Sequence, residues 1–255
     1  RIINSILGVF NIRLVKKSTH EKMRVNEFKF RDYELSNLIE DKYFVNFFEN
    51  LNQSKAQLRQ DLFVLSEFGF KHNGFFVEFG ATNGKDLSNT HLLEKKFGWD
   101  GILAEPARIW HPELLSNRSV AIETNCVWNK SGEILTFNEV EKAQELSTID
   151  TFSNCDGHKN RRQNTKKYKV KTISLYDMLK KHKAPKEIDY LSIDTEGSEY
   201  EILSGFDFNE YDIKVITCEH NYGEIREKIF DLLSANGYMR KLSKFSLWDD
   251  WYVRQ

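Results

Sequence analysis

The sequence contains little cysteine and proline, and it lacks a long hydrophobic run. Its three cysteines, Cys126, Cys155 and Cys218, lie far apart in a chain of 255 residues. They therefore form neither a disulfide framework nor a zinc cluster, and a reducing, cytoplasmic compartment is expected. Three prolines and 13 glycines exclude a collagen-like or linker-rich chain. No run reaches about 18 apolar residues, so no transmembrane helix is predicted.

The chain also lacks an excess of charge of either sign. Lys and Arg number 37 and Asp and Glu number 38, which gives a net charge of −1. This balance argues against a nucleic-acid partner. Hydrophobic residues make up 40% of the chain, which is enough for a packed core. The length favours one large domain, with or without an appendage.

The first 16 residues predict an amphipathic helix whose apolar residues share one face. These residues are Ile2, Ile3, Ile6, Leu7, Phe10 and Leu14. Such a helix docks on its own domain or on a second copy of the chain, or it lies on an anionic membrane surface. The basic residues follow the apolar run, whereas in a signal peptide they precede it. The sequence thus leaves a homo-oligomer and peripheral membrane association open.

The pattern of the chain changes near residue 72. Residues 35–51 and 54–69 carry apolar residues at spacings of three and four, which predicts helices. Ser54 is the expected N-cap of the second helix, and Gly69 is the expected C-cap. We therefore expect a helical extension over residues 1–72 and a separate domain over residues 73–255.

From residue 75 onward, short apolar runs alternate with amphipathic stretches. The runs predict strands at 75–79, 101–105, 119–124, 168–173, 188–193 and 213–218. Helices are predicted between them at 87–97, 107–116, 175–182, 199–205 and 222–235. This alternation favours an α/β fold with a mostly parallel sheet. The aromatic-rich tail at 237–253 predicts an antiparallel hairpin at the sheet edge.

Residues 138–169 show little periodicity and predict a long loop that ends in a basic run. This segment is either a solvated surface loop or a lid over an anionic substrate, since guanidinium and ammonium groups pair with phosphate and carboxylate. On the second interpretation, Arg161, Arg162 and Lys166 are candidate substrate contacts.

Two of the predicted strands end in residues suited to a nucleoside cofactor. The first is followed by a turn with Gly80 and Gly84 after Glu78, which lets the backbone turn tightly before a helix. The second ends in Glu105, and a carboxylate in this position holds a ribose diol in dinucleotide-binding folds. The spacing is not the three-glycine dinucleotide pattern, which counts against a nicotinamide cofactor.

Carboxylates and a histidine follow the next two strands. Asp194, Glu196 and Glu199 lie within six residues, and Glu219 precedes His220. Asp194 at the end of a central strand is a candidate general base, and His220 is a second candidate. Together with Glu219, these two residues are also candidate ligands for a divalent cation such as Mg or Mn. Glu199 fits the first turn of a helix, where the helix dipole favours an acid.

The sequence resembles the FkbM family of S-adenosylmethionine-dependent methyltransferases. The resemblance lies in EFGATNG (78–84), ILAEP (102–106), TNCVWN (124–129) and YLSIDTEGSEYEILSGF (190–206). It implies a Rossmann-like class I methyltransferase fold, with seven strands of which one is antiparallel, over the predicted domain at 73–255. It also implies methyl transfer to a hydroxyl, often of a sugar.

The resemblance further implies roles for individual residues. Glu78, Gly80, Thr82 and Gly84 would line the methionine and ribose part of S-adenosylmethionine, and Glu105 would hold the ribose diol. Asp194 would face the reacting centre. The adenine would be flanked by three consecutive residues, Asn125, Cys126 and Val127. The family usually has Asp at the position of Glu78 and Asn at that of Thr82.

The function expected from these features is O-methylation of a small molecule or glycan, either neutral or anionic. Two alternatives stay open at this stage. One is an NAD(P)-dependent oxidoreductase, and the other is a non-catalytic methyltransferase-like interaction module. Cofactor binding tests the first alternative, and turnover tests the second.

Overall fold

The computed structural model describes residues 17–155 and 157–255. The amphipathic helix predicted for residues 1–16 lies outside the described residues. By its internal contacts the chain divides into two units, Arg1–Phe44 and Val45–Gln255. The predicted division between residues 72 and 73 stays a prediction.

The secondary structure alternates as the sequence predicts. The described α-helices are α1 (Lys17–Ser36), α2 (Phe44–Leu51), α3 (Gln60–Glu67), α4 (His91–Phe97), α5 (His111–Asn117), α6 (Leu175–Lys181), α7 (Glu199–Ser204) and α8 (Ile225–Ala235). The described strands are β1 (Phe75–Phe79), β2 (Asp100–Ala104), β3 (Ala121–Glu123), β4 (Cys126–Trp128), β5 (Ile134–Val140), β6 (Thr148–Ile149), β7 (Thr165–Ser174), β8 (Glu187–Ile193), β9 (Asp212–Glu219), β10 (Tyr238–Lys241) and β11 (Asp249–Arg254). Among the described helices, none combines the length and the apolar character required to cross a bilayer.

Seven strands form the main sheet in the order β10-β11-β9-β8-β1-β2-β3. Strand β11 runs antiparallel to both of its neighbours, and the other strands run parallel to one another. This confirms the predicted α/β fold with a mostly parallel sheet and an antiparallel edge hairpin. From β1 the chain moves to β2 and β3 on one side, and β8 and β9 lie on the other. The carboxyl ends of β1 and β8 therefore form the topological switch point, where open α/β sheets bind ligands.

The central strands are apolar along nearly their whole length because helices cover both faces of a parallel sheet. Val77 and Phe79 of β1, Leu191 and Ile193 of β8 and Ile216 of β9 are all buried. These side chains belong to one continuous core. Because such buried strands appear as apolar runs in the sequence, the predicted strand bounds agree with the observed ones to within a few residues.

The prediction of a long loop over residues 138–169 is wrong at both ends of that segment, where β5 and β7 extend into it. Strands β4, β7, β5 and β6 form a second sheet in that order, and β5 pairs antiparallel with β7 along seven residues. Phe137 and Val170 pack with Ile149 in a small core of this sheet. Lysines alternate with the inward residues along β7, so the basic run is largely the exposed face of a strand.

The predicted helices of the extension are shorter than expected. Helix α3 begins at Gln60 rather than near Ser54, whose hydroxyl instead donates to the Asp61 carboxylate at 2.7 Å. The residue before the helix, Arg59, has a positive φ of 65°. Gly69 has a φ of 63° just after the helix, which agrees with its predicted role as a cap. The predicted helix over 35–51 is interrupted between α1 and α2.

Helix α3 is attached to the main sheet through an aromatic pair and a hydrogen bond. The rings of Phe63 and Trp251 stack with centroids 4.6 Å apart. The Gln60 amide donates to the Asp249 carboxylate at 2.9 Å. Since β11 lies beside β9, this contact supports the sheet from the side opposite to β2.

The substitution Trp251→Ala should lower the free energy of unfolding by about 3–5 kcal/mol, because it removes a fully buried indole from a packed core. Urea denaturation measures the loss. Met239→Ala on β10 is the control: its side chain is 44% exposed, and a change within about 0.5 kcal/mol is expected. A loss below about 1 kcal/mol for Trp251→Ala would contradict the anchoring role of this ring.

Candidate functional site

A cavity of about 540 Å³ opens at the carboxyl ends of the central strands. This volume lies in the usual range for small-molecule sites. Residues at the ends of β1, β2, β8 and β9, or just after them, line it. They are Gly80, Thr82, Glu105, Asp194 and Glu219. The cavity therefore lies at the switch point of the sheet.

Gly80 lets β1 and β8 approach each other at the floor of the cavity. Its φ is +72°, and a Cβ at this position would lie 1.9 Å from the carbonyl oxygen of Asp194. Its N–H donates to the Ala104 carbonyl at 3.1 Å, which joins the turn to β2. Any side chain here would force the two strand ends apart.

Glu105 presents a buried carboxylate to the cavity. One oxygen accepts from the N–H of Thr82 at 2.8 Å, and the other accepts from the N–H of Ala107 at 2.7 Å. Burial raises the pKa of Glu105 to about 7. Each carboxylate oxygen can accept a second hydrogen bond. The ionised group can therefore receive two further donors, such as a pair of vicinal hydroxyls.

Glu78 and Gly84 do not line the cavity, although the sequence placed them with the cofactor. The Glu78 carboxylate accepts from the hydroxyl of Ser88 at 3.0 Å and from the N–H of Asn89 at 2.8 Å. It therefore orders the segment before α4. Gly84 packs against α5, and its carbonyl accepts from Arg118 at 3.0 Å.

Only two of the three residues predicted to flank the adenine line the cavity. Cys126 and Val127 line the cavity. Asn125 does not, because its N–H and its side-chain amide both donate to the Glu123 carboxylate, at 2.9 and 2.8 Å. Phe137 and Ile149 of the second sheet line the cavity beside Cys126 and Val127. Neither wall residue was predicted: Ile149 lies in the segment expected to be a loop, and Phe137 lies on β5, where no strand was predicted.

Three carboxylates converge in the wall of the same cavity. Asp194, Glu196 and Glu219 each place one oxygen within 4.8 Å of the other two. Burial raises the pKa of Asp194 to about 6. It also raises the pKa of Glu219 well above its usual value, with the charge of Asp194 as the next cause. We refer to these three residues as the acidic cluster.

His220 does not join the acidic cluster, so the predicted grouping of Asp194, Glu219 and His220 is not assembled. Its ring is buried, with Nδ1 accepting from the N–H of Tyr222 at 3.0 Å and Nε2 lying 3.7 Å from the Asp250 carboxylate. The third acid is Glu196, which a positive φ of 58° brings back toward the strand ends. The amino-acid sequence gives no sign of this positive φ at Glu196.

Glu199 has a structural role in the turn after β8. Its carboxylate accepts from the N–H of Thr195 at 2.9 Å and from the N–H of Gly197 at 3.0 Å. It is the first residue of α7, as the sequence predicted.

The three basic residues predicted to contact a substrate have different environments. Arg162 is buried and donates to Glu196 at 2.6 Å and to the Leu146 carbonyl at 2.8 Å. Lys166 is exposed on β7 and does not line the cavity. Arg161 does line the cavity and pairs with Glu145 at 3.1 Å. Arg162 therefore acts on the acidic cluster, and Arg161 is the candidate for a substrate contact.

Comparison with known proteins identifies relatives of the chain. The family model described as "Methyltransferase FkbM domain" matches residues 78–242. Among solved structures, the chain is similar to a methyltransferase FkbM from Methylobacillus flagellatus KT, with 14% identity and a TM-score of 0.47. That match covers 88% of this chain, which spans 58% of that protein's length.

A second solved structure is a precorrin-6y C5,15-methyltransferase from Geobacter metallireducens GS-15. It shares 10% identity at a TM-score of 0.39, and the match covers 76% of this chain and 88% of that chain. No curated protein matches the sequence.

The substitution Gly80→Ala should destabilise the protein more than Gly132→Ala does. Both glycines have positive φ, but a Cβ at Gly132 has no atom within 4 Å. Gly132→Ala should therefore cost only the backbone strain of about 1–2 kcal/mol. Gly80→Ala should cost about 1–3 kcal/mol more, because the Asp194 backbone must move. Equal losses in denaturant unfolding would contradict the close approach of β1 and β8.

Proposed function

The chain belongs to the FkbM methyltransferase family, whose model matches more than half of its residues, and we propose that it transfers a methyl group from S-adenosylmethionine to a hydroxyl group of a sugar or glycan. One observation carries the proposal. A single cavity is lined both by a carboxylate suited to a ribose diol and by the acidic cluster.

The residues around Glu105 suit S-adenosylmethionine. Glu105 has acceptor capacity for the two ribose hydroxyls, and Gly80 leaves the adjoining wall without a side chain. Cys126 and Val127 supply an apolar surface for the adenine. When bound, S-adenosylmethionine supplies a methyl group on a sulfonium centre that needs no further activation. Glu78 supports this site indirectly, through the segment that it orders.

Asp194 serves the acceptor hydroxyl. Its carboxylate lies at the end of β8, lines the cavity and can accept the hydrogen bond of a hydroxyl, which fixes the direction of the oxygen. Holding both reactants in near-attack geometry can lower a barrier by about 7–11 kcal/mol, and this hydrogen bond supplies a part of that effect. Asp194 then takes the proton as the carbon–oxygen bond forms, which adds about 10²–10⁴-fold. His220 has no such role in this proposal because its ring faces Asp250.

The rest of the cavity favours a carbohydrate acceptor. Tyr222 and Trp248 offer aromatic faces, and Gln57 and Asn221 offer amides for hydroxyl groups. Arg161 would contact an anionic substituent. The predicted membrane contact falls on residues outside the described part of the chain and stays a prediction.

Two measurements test the proposal and separate it from its alternatives. Calorimetry should detect binding of S-adenosylmethionine and S-adenosylhomocysteine and no binding of NAD or NADP. A panel of monosaccharides, nucleotide sugars and oligosaccharides should then yield S-adenosylhomocysteine together with a product heavier by one methylene unit. Binding of nicotinamide nucleotides alone would favour an oxidoreductase. Binding of the cofactor without turnover on any hydroxyl compound would contradict O-methylation.

The affinity for S-adenosylhomocysteine should depend on pH through Glu105. Its pKa is raised to about 7 by burial, and the charges of Asp194 and Glu139 add to this shift. Glu105 is therefore mostly ionised above pH 7, and it becomes protonated as the pH falls through that value. From pH 8 to 6 the Kd should rise by up to about tenfold.

The substitution Glu105→Gln should weaken binding at pH 8 and abolish this pH dependence in calorimetry. Glu187→Gln, at the exposed start of β8, is the matched control and should keep the wild-type profile. An unchanged profile in Glu105→Gln would assign the titration to another group.

The substitution Asp194→Ala should reduce kcat by about 10²–10⁴-fold and leave the Kd for S-adenosylhomocysteine within a few-fold of wild type. The physical reason is that the hydroxyl loses both its orienting acceptor and its proton acceptor. Asp231→Asn on the exposed side of α8 is the control and should turn over normally. Undiminished turnover of Asp194→Ala would remove this residue from the mechanism.

A further inference from the structure

We propose that Asp194, Glu196 and Glu219 bind a divalent cation of the Mg, Mn or Ca class in the cavity. This inference rests on the proposed function for the role of the ion, but its test does not depend on methyl transfer. It replaces the cation ligands expected from the sequence, since His220 faces Asp250 and Glu196 takes the third position.

The geometry of the acidic cluster fits one ion. The three oxygens lie within 4.8 Å of one another. Two ligands on opposite sides of a Ca²⁺ ion are separated by about 4.8 Å, because each Ca–O bond is about 2.4 Å long. Slight contraction would suit Mn²⁺, and further contraction would suit Mg²⁺. The three residues come from the turn after β8 and from the end of β9, so the sheet fixes their positions.

One carboxylate oxygen of Glu219 lacks a hydrogen-bond donor among the described residues, which indicates a site for a positively charged group. The Oε2 atom of Glu219 is buried and has no hydrogen-bond partner among the described residues, and the residue is only 8% exposed. A buried carboxylate oxygen without a donor is costly. An oxygen of its neighbour Asp194 lies within 4.8 Å of a Glu219 oxygen. A proton or a cation between the two carboxyl groups would relieve their repulsion.

Two more unpartnered oxygens surround the same place. A small cavity of about 10 Å³ is lined by Asp194, Glu219, Asn89 and Asp249. The Oδ1 atoms of Asn89 and Asp249 are also buried without a partner among the described residues. The Asn89 Nδ2 donates to Ser192 at 2.9 Å, which fixes Oδ1 as the free side of the amide. The Oδ1 atom of Asn89 can only accept, and water bound to a cation would supply its donor.

The charge balance favours a divalent ion. Arg162 donates to Glu196 at 2.6 Å and offsets one of the three negative charges. When both are ionised, Asp194 and Glu219 carry the other two negative charges. One divalent cation matches that charge.

The chemistry of the donors selects a hard cation. All the donors are oxygens of carboxylates, which Mg²⁺, Mn²⁺ and Ca²⁺ prefer, and no imidazole or thiolate among the described residues joins them. The ion would lie beside the position proposed for the acceptor hydroxyl. It would thus hold the acceptor oxygen directly, in addition to neutralising the cluster.

Mn²⁺ binding to the full chain tests the inference, with free Mn²⁺ measured by electron paramagnetic resonance at pH 7.5. We expect one site per chain, displaced by Ca²⁺ or Mg²⁺. Glu219→Gln should weaken binding at least tenfold, because it removes a charged ligand. Glu145→Gln is the matched control: it makes the same change in the same cavity, outside the acidic cluster, and should bind like wild type.

Parallel calorimetry with S-adenosylhomocysteine and thermal melts of each variant make every outcome decisive. Absence of Mn²⁺ binding at millimolar concentrations, with normal S-adenosylhomocysteine binding, would overturn the cation site and leave the proposed function intact. A folded Glu219→Gln that binds Mn²⁺ like wild type would also overturn it, because the ion would then lie elsewhere. Mn²⁺ binding lost only in Glu219→Gln, with no S-adenosylhomocysteine binding in any variant, would support the cation site and reject the proposed function.

Discussion

The approach of β1 to β8 at Gly80 is the constraint on which the site depends. The carbonyl of Asp194 occupies the space that a Cβ at Gly80 would need. This contact lies where the strand order reverses, so the loops after β1 and β8 diverge from a common point. A cavity must open between them. Asp194 faces it because it follows β8, and Glu105 faces it because its strand, β2, lies next to β1.

The second sheet converts this opening into an enclosed site. Phe137 and Ile149 close one wall, and the segment between β6 and β7 carries Arg162 to the acidic cluster. The ion pair between Arg162 and Glu196 is buried, and such pairs are costly to form without further hydrogen bonds. The bond from Arg162 to the Leu146 carbonyl supplies one. The same segment therefore shapes the cavity and limits its negative charge.

Much of the fold could be predicted because strands buried on both faces appear as short apolar runs, as FFVEF at 75–79 does. Strand β7 was predicted only over 168–173, because the adjacent lysines at 166 and 167 interrupt the alternation of apolar and polar residues at its start. Glu105 and Asp194 could be predicted from their places at strand ends. His220 and Glu196 could not, because single backbone turns after β9 and β8 decide which side each faces.

The proposed function divides the cavity along the switch point. Residues after β1 and β2 would serve the cofactor, whereas residues after β8 and β9 and in the segment that carries Arg161 would serve the acceptor. The two groups share the constraint at Gly80, but the hydrogen bonds that hold Glu105 come from the backbone N–H groups of Thr82 and Ala107. Changes in the acceptor half can therefore alter the substrate without disturbing the hydrogen bonds that hold Glu105. The acidic cluster lies in the acceptor half, so its charge acts first on the group that receives the methyl.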